Sequence, residues 1–400
     1  MIPVPEKRIS EFESKAFGMF IHYGLYSQLG KGEWIKHFAK MSDSEYNALF
    51  ESFSADKFDA HSIARLAKAS GMKYITLTAR HHDGFSLYDT RGLSEFDAPH
   101  APGCRRDLIK EFVDACADEG VTPMLYHTRL DWHVRSFNED FSAYLKYLRD
   151  SVEVLCSNYG KIGGFWFDGN WSKPGEDWRE SELYAVIRRH QPDAIIVNNT
   201  GLEARGKLGD PEIDSVTYEQ GRPEPMNREG MSKYVAAEMC YTVNDHWGYA
   251  ADDINYKSPA QLIETLCACR KIGANLLLNI GPRGDGSVEP MQRYLLECVG
   301  KWISKCGGSI YEAKPCVIKG EGKNFALCKG KKAYLFIHDI ASSDRVKRFE
   351  NVGEKVKSVK YTDNGEDLGF TLENGVLCVT APPFSYGQSL AVRVAEVELE

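Results

Sequence analysis

Apolar runs in this sequence repeatedly end in a side chain that can do chemistry. Histidines, carboxylates, amides and one tyrosine occupy these positions: His22, His81 with His82 and Asp83, Tyr126 with His127, Asp168, Asn198 with Asn199, Glu219, Glu238 and Asn279. Such side chains exchange protons, carry charge and hydrogen-bond hydroxyl groups. If the runs are the parallel strands of one barrel, their carboxyl ends meet at one mouth, where barrel enzymes have their active sites. The sequence therefore predicts one polar site at that mouth.

Three carboxylates of this set have the placement expected of acid–base chemistry. Asp168 follows Phe-Trp-Phe and precedes Gly169, so its oxygens are predicted to reach the mouth while the aromatic rings stay in the wall. Glu219 and Glu238 follow the sixth and seventh runs. One ionised and one protonated carboxyl group are the machinery of glycoside cleavage. Glu238 lies within an apolar run, and a buried structural role is equally compatible with its position.

The His-His-Asp sequence at 81–83 raises two alternatives, a metal site and a sugar site. Imidazole and carboxylate are common metal ligands, but adjacent residues at a strand end point in opposite directions, so His81 and His82 cannot both face one ion without a bend. The chain has no His-x-His, His-Glu-x-x-His or Cys-x-x-Cys pattern. A neutral imidazole both donates and accepts hydrogen bonds, which suits sugar hydroxyl groups. We therefore predict that no metal is bound.

Helix-like and strand-like runs alternate up to about residue 310. Helical periodicity is found at 59–70, 105–119, 141–159, 179–190 and 258–272, and eight apolar runs lie at 17–22, 73–78, 121–126, 163–167, 194–198, 215–218, 235–239 and 275–281. Apolar strands that alternate with helices are typical of parallel sheets covered by helices, and eight of them predict a (β/α)₈ barrel. The barrel is predicted to be irregular, because neither 199–214 nor 219–234 has a helical stripe.

A doubly wound open sheet is the alternative arrangement of the same elements. It would need a glycine-rich, phosphate-binding turn after the first strand. The segment at 20–32, FIHYGLYSQLGKG, does not supply such a turn in the right register. The barrel is therefore the favoured α/β architecture.

After about Tyr311 the helical periodicity disappears. Apolar and polar residues alternate with a period of two at 331–339, 356–362, 369–380 and 389–397, and Asp363-Asn364-Gly365 and Asn374-Gly375 favour tight hairpin turns. We predict two domains, a catalytic (β/α)-barrel over 1–312 and a small antiparallel β-sandwich over 313–400. Packing is the favoured role of the second domain, with carbohydrate binding as the alternative.

Composition limits the partners and the compartment. The net charge is −8, whereas proteins that bind nucleic acid carry a basic footprint, so no nucleic acid partner is predicted. No run of 18 apolar residues occurs, so no membrane span is predicted. The opening residues mix charges and lack an apolar secretory core. Together with eleven cysteines, this predicts free, reduced thiols and a cytoplasmic location. No oligomeric state is predicted.

Five segments carry a resemblance to a known enzyme family. They are FGMFIHYGLYSQLGKGEW (17–34), KYITLTARHHDGFSLYDT (73–90), FWFDG (165–169), AEMCYTVNDHWGY (237–249) and GANLLLNIGPRGDG (273–286). In order and spacing they resemble the α-L-fucosidases of glycoside hydrolase family 29. The resemblance implies an irregular (β/α)-barrel followed by a β-sandwich, and a hydrolase that needs no metal or organic cofactor.

The resemblance also implies a role for individual residues. Asp168 matches the family's nucleophile, and Glu219, in VTYEQ, resembles the general acid/base, with Glu238 as the runner-up. The positions that match sugar-binding residues are His22, Glu33, Trp34, His81, His82 and Tyr126, and Trp247 matches an aromatic residue beside the fucose methyl group. The chain departs from many relatives at NNTG (198–201), where an arginine is missing; Arg222 or another side chain is expected to replace it, or the contact is lost.

The function implied is an exo-acting, retaining α-L-fucosidase that hydrolyses terminal α-L-fucosyl linkages of fucosylated oligosaccharides or glycoconjugates. Two alternatives belong to other classes. One is a non-catalytic fucose-binding protein with the same mouth, and the other is a metal-dependent hydrolase that uses His81, His82 and Asp83. The loops at 170–180 and 220–232 are expected to decide which leaving group is accepted.

Overall fold

The computed structural model describes residues 1–306, 308–340 and 345–400. Its first part is a closed barrel of eight parallel strands in sequential order: β1 Phe17–Ile21, β2 Tyr74–Arg80, β3 Thr122–Thr128, β4 Gly164–Asp168, β5 Ile195–Asn198, β6 Ser215–Thr217, β7 Ala236–Thr242 and β8 Asn275–Ile280. Strand β1 pairs with both β2 and β8, which closes the barrel. All eight predicted strands are confirmed, and with them the barrel.

The helices lie outside the strands and around their ends. They are α1 Lys7–Lys15, α2 Ile35–Phe38, α3 Asp43–Asn47, α4 Leu49–Ser52, α5 Ala60–Ala69, α6 Leu108–Glu119, α7 Ser136–Glu139, α8 Phe141–Asn158, α9 Glu180–His190, α10 Pro259–Lys271, α11 Pro290–Ile303 and α12 Ser309–Glu312. Helix α10 begins as predicted, because Ser258 and Gln261 satisfy each other's backbone amides in a capping box. The five helices predicted from periodicity are confirmed, with ends within a few residues.

Large apolar side chains fill the barrel interior. Alternate residues of each strand point inward, and a separate buried cluster contains Phe20, Tyr74, Tyr126 and Trp166. Helix α1 closes the amino-terminal end of the barrel, where the ring of Phe12 lies 5.4 Å from that of Tyr74. The barrel interior is therefore a packed core and not a channel.

The second half of the barrel is irregular, as predicted. Only a single 3₁₀ turn, Leu202–Ala204, lies between β5 and β6, and no helix lies between β6 and β7. Strand β6 has three residues and pairs with β5 through Val197 and Ser215 alone. Side chains supply the missing support, because the buried Asp214 forms ion pairs with Arg8, Arg188 and Lys233.

The second part of the chain is an eight-stranded antiparallel sheet. Its strands are β9 Lys314–Gly320, β10 Phe325–Lys329, β11 Lys332–Ile337, β12 Val346–Glu350, β13 Val356–Tyr361, β14 Phe370–Glu373, β15 Val376–Thr380 and β16 Arg393–Leu399, in the order β13-β16-β11-β10-β9-β12-β15-β14. The predicted turn between β14 and β15 is present, with positive φ at Asn374 and Gly375. All eight strands contribute to one apolar cluster, so the continuous sheet curls around its own core.

The opposite face of this sheet packs against the barrel helices. Phe325, Leu327, Phe336 and Val394 belong to the same apolar cluster as the barrel's outer core. The indole Nε1 of Trp302, in α11, donates a hydrogen bond of 2.7 Å to the carbonyl of Val392. The predicted antiparallel second domain is thus present, and it is joined to the barrel by a shared apolar interface.

The cysteines differ from the prediction at two positions. Cys316 and Cys328 form a disulfide between the neighbouring strands β9 and β10, so the expectation that all eleven thiols are free is wrong for this pair. The remaining nine cysteines are free, and most are buried. Periodicity placed these residues in packed segments but carried no information about which strands pair. Within the described residues, no helix is long and apolar enough to cross a membrane.

Candidate active site

A cavity of about 1220 Å³ opens at the carboxyl ends of the barrel strands. All nine residues predicted for the site line it: His22, Glu33, Trp34, His81, His82, Tyr126, Asp168, Glu219 and Trp247. The runner-up acid, Glu238, does not line it. The structure therefore brings together residues that lie as much as 225 positions apart in the chain, because parallel strands deliver their carboxyl ends to one mouth.

Asp168 is the last residue of β4, and hydrogen-bond donors surround its carboxylate. Its Oδ1 accepts bonds from Trp171 Nε1 at 2.9 Å and Asn199 Nδ2 at 3.2 Å. Its Oδ2 accepts a bond from the Tyr126 hydroxyl at 3.1 Å and lies 3.6 Å from His82 Nε2. Donors around a carboxylate stabilise its negative charge and fix its orientation.

Glu219 lies two residues beyond β6, and the side chain of Asn199 links it to Asp168. Asn199 Nδ2 donates to Glu219 Oε2 at 2.7 Å as well as to Asp168 Oδ1. The amide oxygen of Asn199 accepts bonds from the Thr217 hydroxyl and the Gly201 backbone N–H, each at 3.2 Å, which fixes the amide orientation. One amide therefore holds the two carboxyl groups on the same side of the cavity.

The electrostatic surroundings of the two carboxyl groups differ. Burial, with the Asp168 carboxylate as a second contribution, raises the pKa of Glu219 to about 7. Burial removes the water that would stabilise an anion, and the neighbouring negative charge opposes a second one. Glu219 is therefore substantially protonated near neutral pH beside the carboxylate of Asp168. This is the division of roles between two carboxyl groups that glycoside cleavage requires.

Glu238 lies in the barrel interior, below the cavity. Its side chain is fully buried and accepts hydrogen bonds from Trp166 Nε1 at 3.0 Å and from the Tyr74 hydroxyl. Burial raises its pKa to about 7. Since Glu238 does not reach the cavity, it is not placed to protonate a ligand there, and the buried position is the alternative that the apolar run at 235–239 left open.

The three histidines of the cavity are neutral. Burial lowers the pKa of His22 to about 3 and that of His82 to about 4, and it lowers the pKa of His81 well below its ordinary value. His22 Nδ1 is 2.7 Å from Asn279 Oδ1, and His82 Nδ1 is 2.7 Å from Thr128 Oγ1. The Nδ1 atom of His81 has no protein partner. Each ring thus keeps a nitrogen that can bond a ligand hydroxyl.

His81 and His82 lie on the same side of the strand end, contrary to the geometric argument made from the sequence. Strand β2 ends at Arg80, after a shift in its pairing with β3 between Thr78 and Arg80. The chain bends there, and the two ring centroids are only 4.2 Å apart. Among the described residues, no three His, Cys, Asp or Glu side chains form a group that could hold a metal ion.

Glu33, Trp34 and Trp247 form a further part of the cavity wall. Glu33 is buried, its Oε2 accepts a 2.7 Å bond from the Gly248 backbone N–H, and burial raises its pKa. This bond ties the loop after β7 to the loop after β1. As a result the ring of Trp247 lies 5.2 Å from that of His22, which places an apolar surface beside polar groups.

The chain matches the family model described as Alpha-L-fucosidase over residues 5–308. The chain belongs to the alpha-L-fucosidase family. It is therefore a glycoside hydrolase, as the resemblance predicted. The alpha-L-fucosidase isoenzyme 1 from Paenibacillus thiaminolyticus is 32% identical, with a TM-score of 0.88 over 98% of this chain and 99% of that chain. The tissue alpha-L-fucosidase of Bos taurus is 28% identical over 364 residues, which are 82% of this chain and 74% of the relative.

A third alpha-L-fucosidase has the same fold at lower identity. The family 29 enzyme from Bacteroides thetaiotaomicron, crystallised as a trapped covalent intermediate with 2-fluoro-fucosyl fluoride, has a TM-score of 0.86 and is 23% identical, over 100% of this chain and 98% of that chain. At this identity the likeness shows the fold.

Two side chains of this alpha-L-fucosidase family member that contact Asp168 were not assigned roles from the sequence. Asn199 was recognised as a polar residue at a strand end, but the sequence does not show that its amide reaches both carboxyl groups. Trp171, which is 37% exposed, follows Asp168 by three residues and carries no distinguishing pattern. The expected substitute Arg222 is exposed and does not line the cavity. Arg205 is the arginine beside Glu219, and its Nε donates to the Glu219 carbonyl at 2.5 Å.

Proposed function

We propose that the protein is an exo-acting, retaining α-L-fucosidase that hydrolyses terminal α-L-fucosyl linkages by double displacement. Asp168 is the nucleophile and Glu219 the general acid/base. The substrate is a fucosylated oligosaccharide or glycoconjugate. The single observation that carries this proposal is the Asn199 amide, which donates to both carboxyl groups at 3.2 and 2.7 Å.

The shared amide supports a retaining mechanism over an inverting one. Retaining glycosidases hold their carboxyl groups roughly 5–5.5 Å apart, whereas inverting ones need roughly 6.5–9.5 Å to admit a water molecule between them. Two carboxyl oxygens bonded to the same nitrogen suit the shorter separation. A covalent intermediate of the kind required was trapped in the Bacteroides thetaiotaomicron relative.

In the first step, an Asp168 oxygen attacks the anomeric carbon and the bond to the leaving oxygen breaks. Glu219 gives its proton to that oxygen, so the aglycone departs as a neutral alcohol. The donors Trp171, Asn199 and Tyr126 hold the Asp168 carboxylate in position before the attack. After the attack they stabilise the carboxylate again as it leaves. Glu219 is suited to donate near neutral pH, because burial raises its pKa to about 7.

In the second step, water hydrolyses the fucosyl-enzyme ester. Glu219, now ionised, takes a proton from the water molecule as its oxygen bonds to the anomeric carbon. The bond between that carbon and Asp168 breaks, which returns the carboxylate and releases fucose with its original anomeric configuration. The proton remains on Glu219, and the site is ready for another substrate.

The rest of the cavity supports recognition of a terminal 6-deoxy sugar. His22, His81 and His82 are neutral and buried, so they can donate and accept hydrogen bonds with hydroxyl groups at no cost in buried charge. Trp247 offers an apolar surface for a methyl group. The packed barrel interior closes the site below, which favours binding of a chain end over binding of an internal residue.

Leaving-group dependence tests the roles of the carboxyl groups. General-acid help matters most when the leaving oxygen is basic and little when it is a nitrophenolate. Glu219→Ala is expected to reduce hydrolysis of a fucosyl disaccharide far more than hydrolysis of a nitrophenyl fucoside, and Glu238→Ala to reduce both by similar factors. If the steep dependence appears in the Glu238 variant instead, the assignment of Glu219 is wrong.

Chromophore release from the same aryl fucoside separates an enzyme from a fucose-binding protein. A binding protein would bind the fucoside and release nothing. Activity that persists in a strong chelator would argue against the metal-dependent alternative.

A further inference from the structure

A buried hydrogen-bond and stacking chain connects the barrel interior to the Asp168 carboxylate. It starts at Glu238, on β7, which accepts a 3.0 Å bond from Trp166 Nε1. Trp166, on β4, stacks on Tyr126, with ring centroids 5.6 Å apart and an angle of 22°. The hydroxyl of Tyr126, on β3, donates to Asp168 Oδ2 at 3.1 Å.

We propose that Glu238 is a positioning residue that acts through Trp166. By holding the indole N–H, it fixes the plane on which Tyr126 stacks, and so sets the position of the hydroxyl that bonds the nucleophile. This inference rests on the proposed function of Asp168. It gives a specific content to the buried structural role considered from the sequence, because the residue orients an indole instead of donating the proton.

The cost of burying Glu238 is what points to a specific role. An apolar side chain would fill this position among aromatic rings without the cost of removing a carboxyl group from water. Among the described residues, no cation forms a salt bridge with Glu238; its partners are the N–H of Trp166 and the hydroxyl of Tyr74. Both carboxyl oxygens are therefore used to orient neutral donors.

A small tilt of the Trp166 ring would change the geometry of the active site. It lines the cavity and is two residues before Asp168 on the same strand, so both side chains point inward. The ring stack continues from Tyr126 to His81, with centroids 5.4 Å apart and an angle of 14°. A shift of the indole would therefore move Tyr126 and His81 together. Displacements of about 1 Å caused by distant mutations can cost about 10²-fold in rate.

A double-mutant cycle in kcat tests whether Glu238 acts through Trp166. Glu238→Met removes both acceptors while it keeps an unbranched side chain. It is expected to lower kcat by on the order of tenfold or more. Glu238→Gln keeps an acceptor for the indole N–H and is expected to restore kcat to within about threefold of the wild type. Trp166→Phe removes the N–H and keeps an aromatic ring. In the Trp166→Phe background, the further substitution Glu238→Met is expected to lower kcat by less than about twofold. The reason is that the effects of substitutions at coupled residues are not additive.

Tyr74→Phe is the matched control. It removes the other donor to the same carboxyl group on the side away from the cavity, and kcat is expected to change by less than about twofold. Active sites are counted by covalent labelling with a 2-fluoro-fucosyl fluoride, so that kcat is compared per folded, labelled site. Thermal unfolding of each variant reports any loss of stability separately.

The outcomes separate failure of this inference from failure of the proposed function. If the wild-type protein neither turns over an aryl fucoside nor accepts the label, the proposed function is wrong. If the wild type is active and the effects of Glu238→Met and Trp166→Phe on kcat multiply independently, Glu238 does not act through Trp166. The same conclusion follows if Glu238→Gln is as impaired as Glu238→Met.

Discussion

The two halves of the barrel mouth are built differently. On one side, β1, β2 and β3 are joined by long parallel ladders, and they present His22, the histidine pair and Tyr126 as fully buried rings. On the other side, β5 and β6 pair at a single position, and helices are missing from the connections that follow them. Asp168 ends β4, and Glu219 lies beyond β6, on the irregular side.

This difference suggests that one half of the mouth recognises the ligand and the other half carries out the chemical steps. Backbone ladders hold the strands whose rings can recognise a ligand, and side-chain bonds to Asn279 and Thr128 orient His22 and His82. The carboxyl groups of the irregular half are held by side-chain bonds, above all those of Asn199. We therefore expect substitutions of the histidines in the regular half to weaken substrate binding, and substitutions in the irregular half to slow the chemical steps.

The largest effect is expected for Asp168→Ala. Removing the nucleophile eliminates covalent catalysis, so kcat is expected to fall by several powers of ten. The fold is expected to survive, because the side chain faces the cavity and supports little packing. Steady-state kinetics on an activated fucoside measure the loss, and azide or formate is expected to restore part of the activity. A variant with more than about a tenth of the wild-type rate would contradict the assignment of Asp168.

Asn199→Leu tests whether one amide organises the irregular half. The leucine keeps a similar volume and loses the bonds to both carboxyl groups, so kcat is expected to fall by about 10–100-fold with a smaller change in KM. The Asn199 bond also lowers the pKa of Glu219. Its loss is therefore expected to move the basic limb of the pH–rate profile to higher pH. An unchanged profile with a raised KM would place Asn199 among the binding groups instead.

The pH dependence of the wild type follows from the raised pKa of Glu219. Glu219 must be protonated to act as an acid, so kcat/KM is expected to fall about tenfold per pH unit above about 7. The histidines of the regular half are expected to contribute no change between pH 5 and 8, because burial holds their pKa values well below that range. Glu219→Gln is expected to abolish this limb. A limb near pH 7 that survives in that variant would assign it to another group.

His81→Ala is the corresponding test of the regular half. His81 lines the cavity, and loss of one neutral hydrogen bond to a ligand is worth about 1 kcal/mol. KM is therefore expected to rise about five- to tenfold, while kcat changes less. Competitive inhibition by free fucose provides an independent measure of binding. A fall in kcat with unchanged inhibition by fucose would remove the distinction between the two halves.

The smallest expected signal is the thiol count of the unfolded, unreduced protein. With Cys316 and Cys328 paired, nine thiols should react instead of eleven. Reduction before unfolding should restore the remaining two, which serves as the control. Eleven reactive thiols under anaerobic handling would show that the two cysteines are unpaired in solution, and would support the cytoplasmic location proposed from the sequence.

The sequence predicted the regular half of the mouth better than the irregular half, for physical reasons. Apolar runs predicted every barrel strand. The alternation of side chains along a strand then predicts which residue at its end points into the mouth, and this was enough to place His22 and Tyr126 in the site. That alternation is interrupted where the pairing of β2 with β3 shifts between Thr78 and Arg80, and the rings of His81 and His82 lie close together as a result. A local bend depends on pairing with a neighbouring strand, which periodicity does not encode.

The irregular half depends on contacts between residues distant in sequence. Asn199 was visible as a polar residue at a strand end, but its two carboxylate partners come from β4 and from beyond β6. The sequence left the choice between Glu219 and Glu238 open for the same reason, because each was predicted to lie at the end of a strand. In the structure β7 continues to Thr242, so Glu238 lies inside the strand and below the mouth. The length of β7, which depends on its pairing partners, is what keeps Glu238 out of the cavity.

Because the sheet and the barrel share an apolar interface, truncating the chain at the boundary near residue 312 is not expected to give a well-behaved fragment. Phe325, Leu327 and Phe336 complete a core that the barrel helices begin. A fragment ending at 312 would expose that half-core to water as a contiguous apolar patch, the kind of surface that drives self-association. We therefore expect the two parts to unfold in one cooperative transition, and the barrel that carries the active site to need the sheet in order to stay soluble.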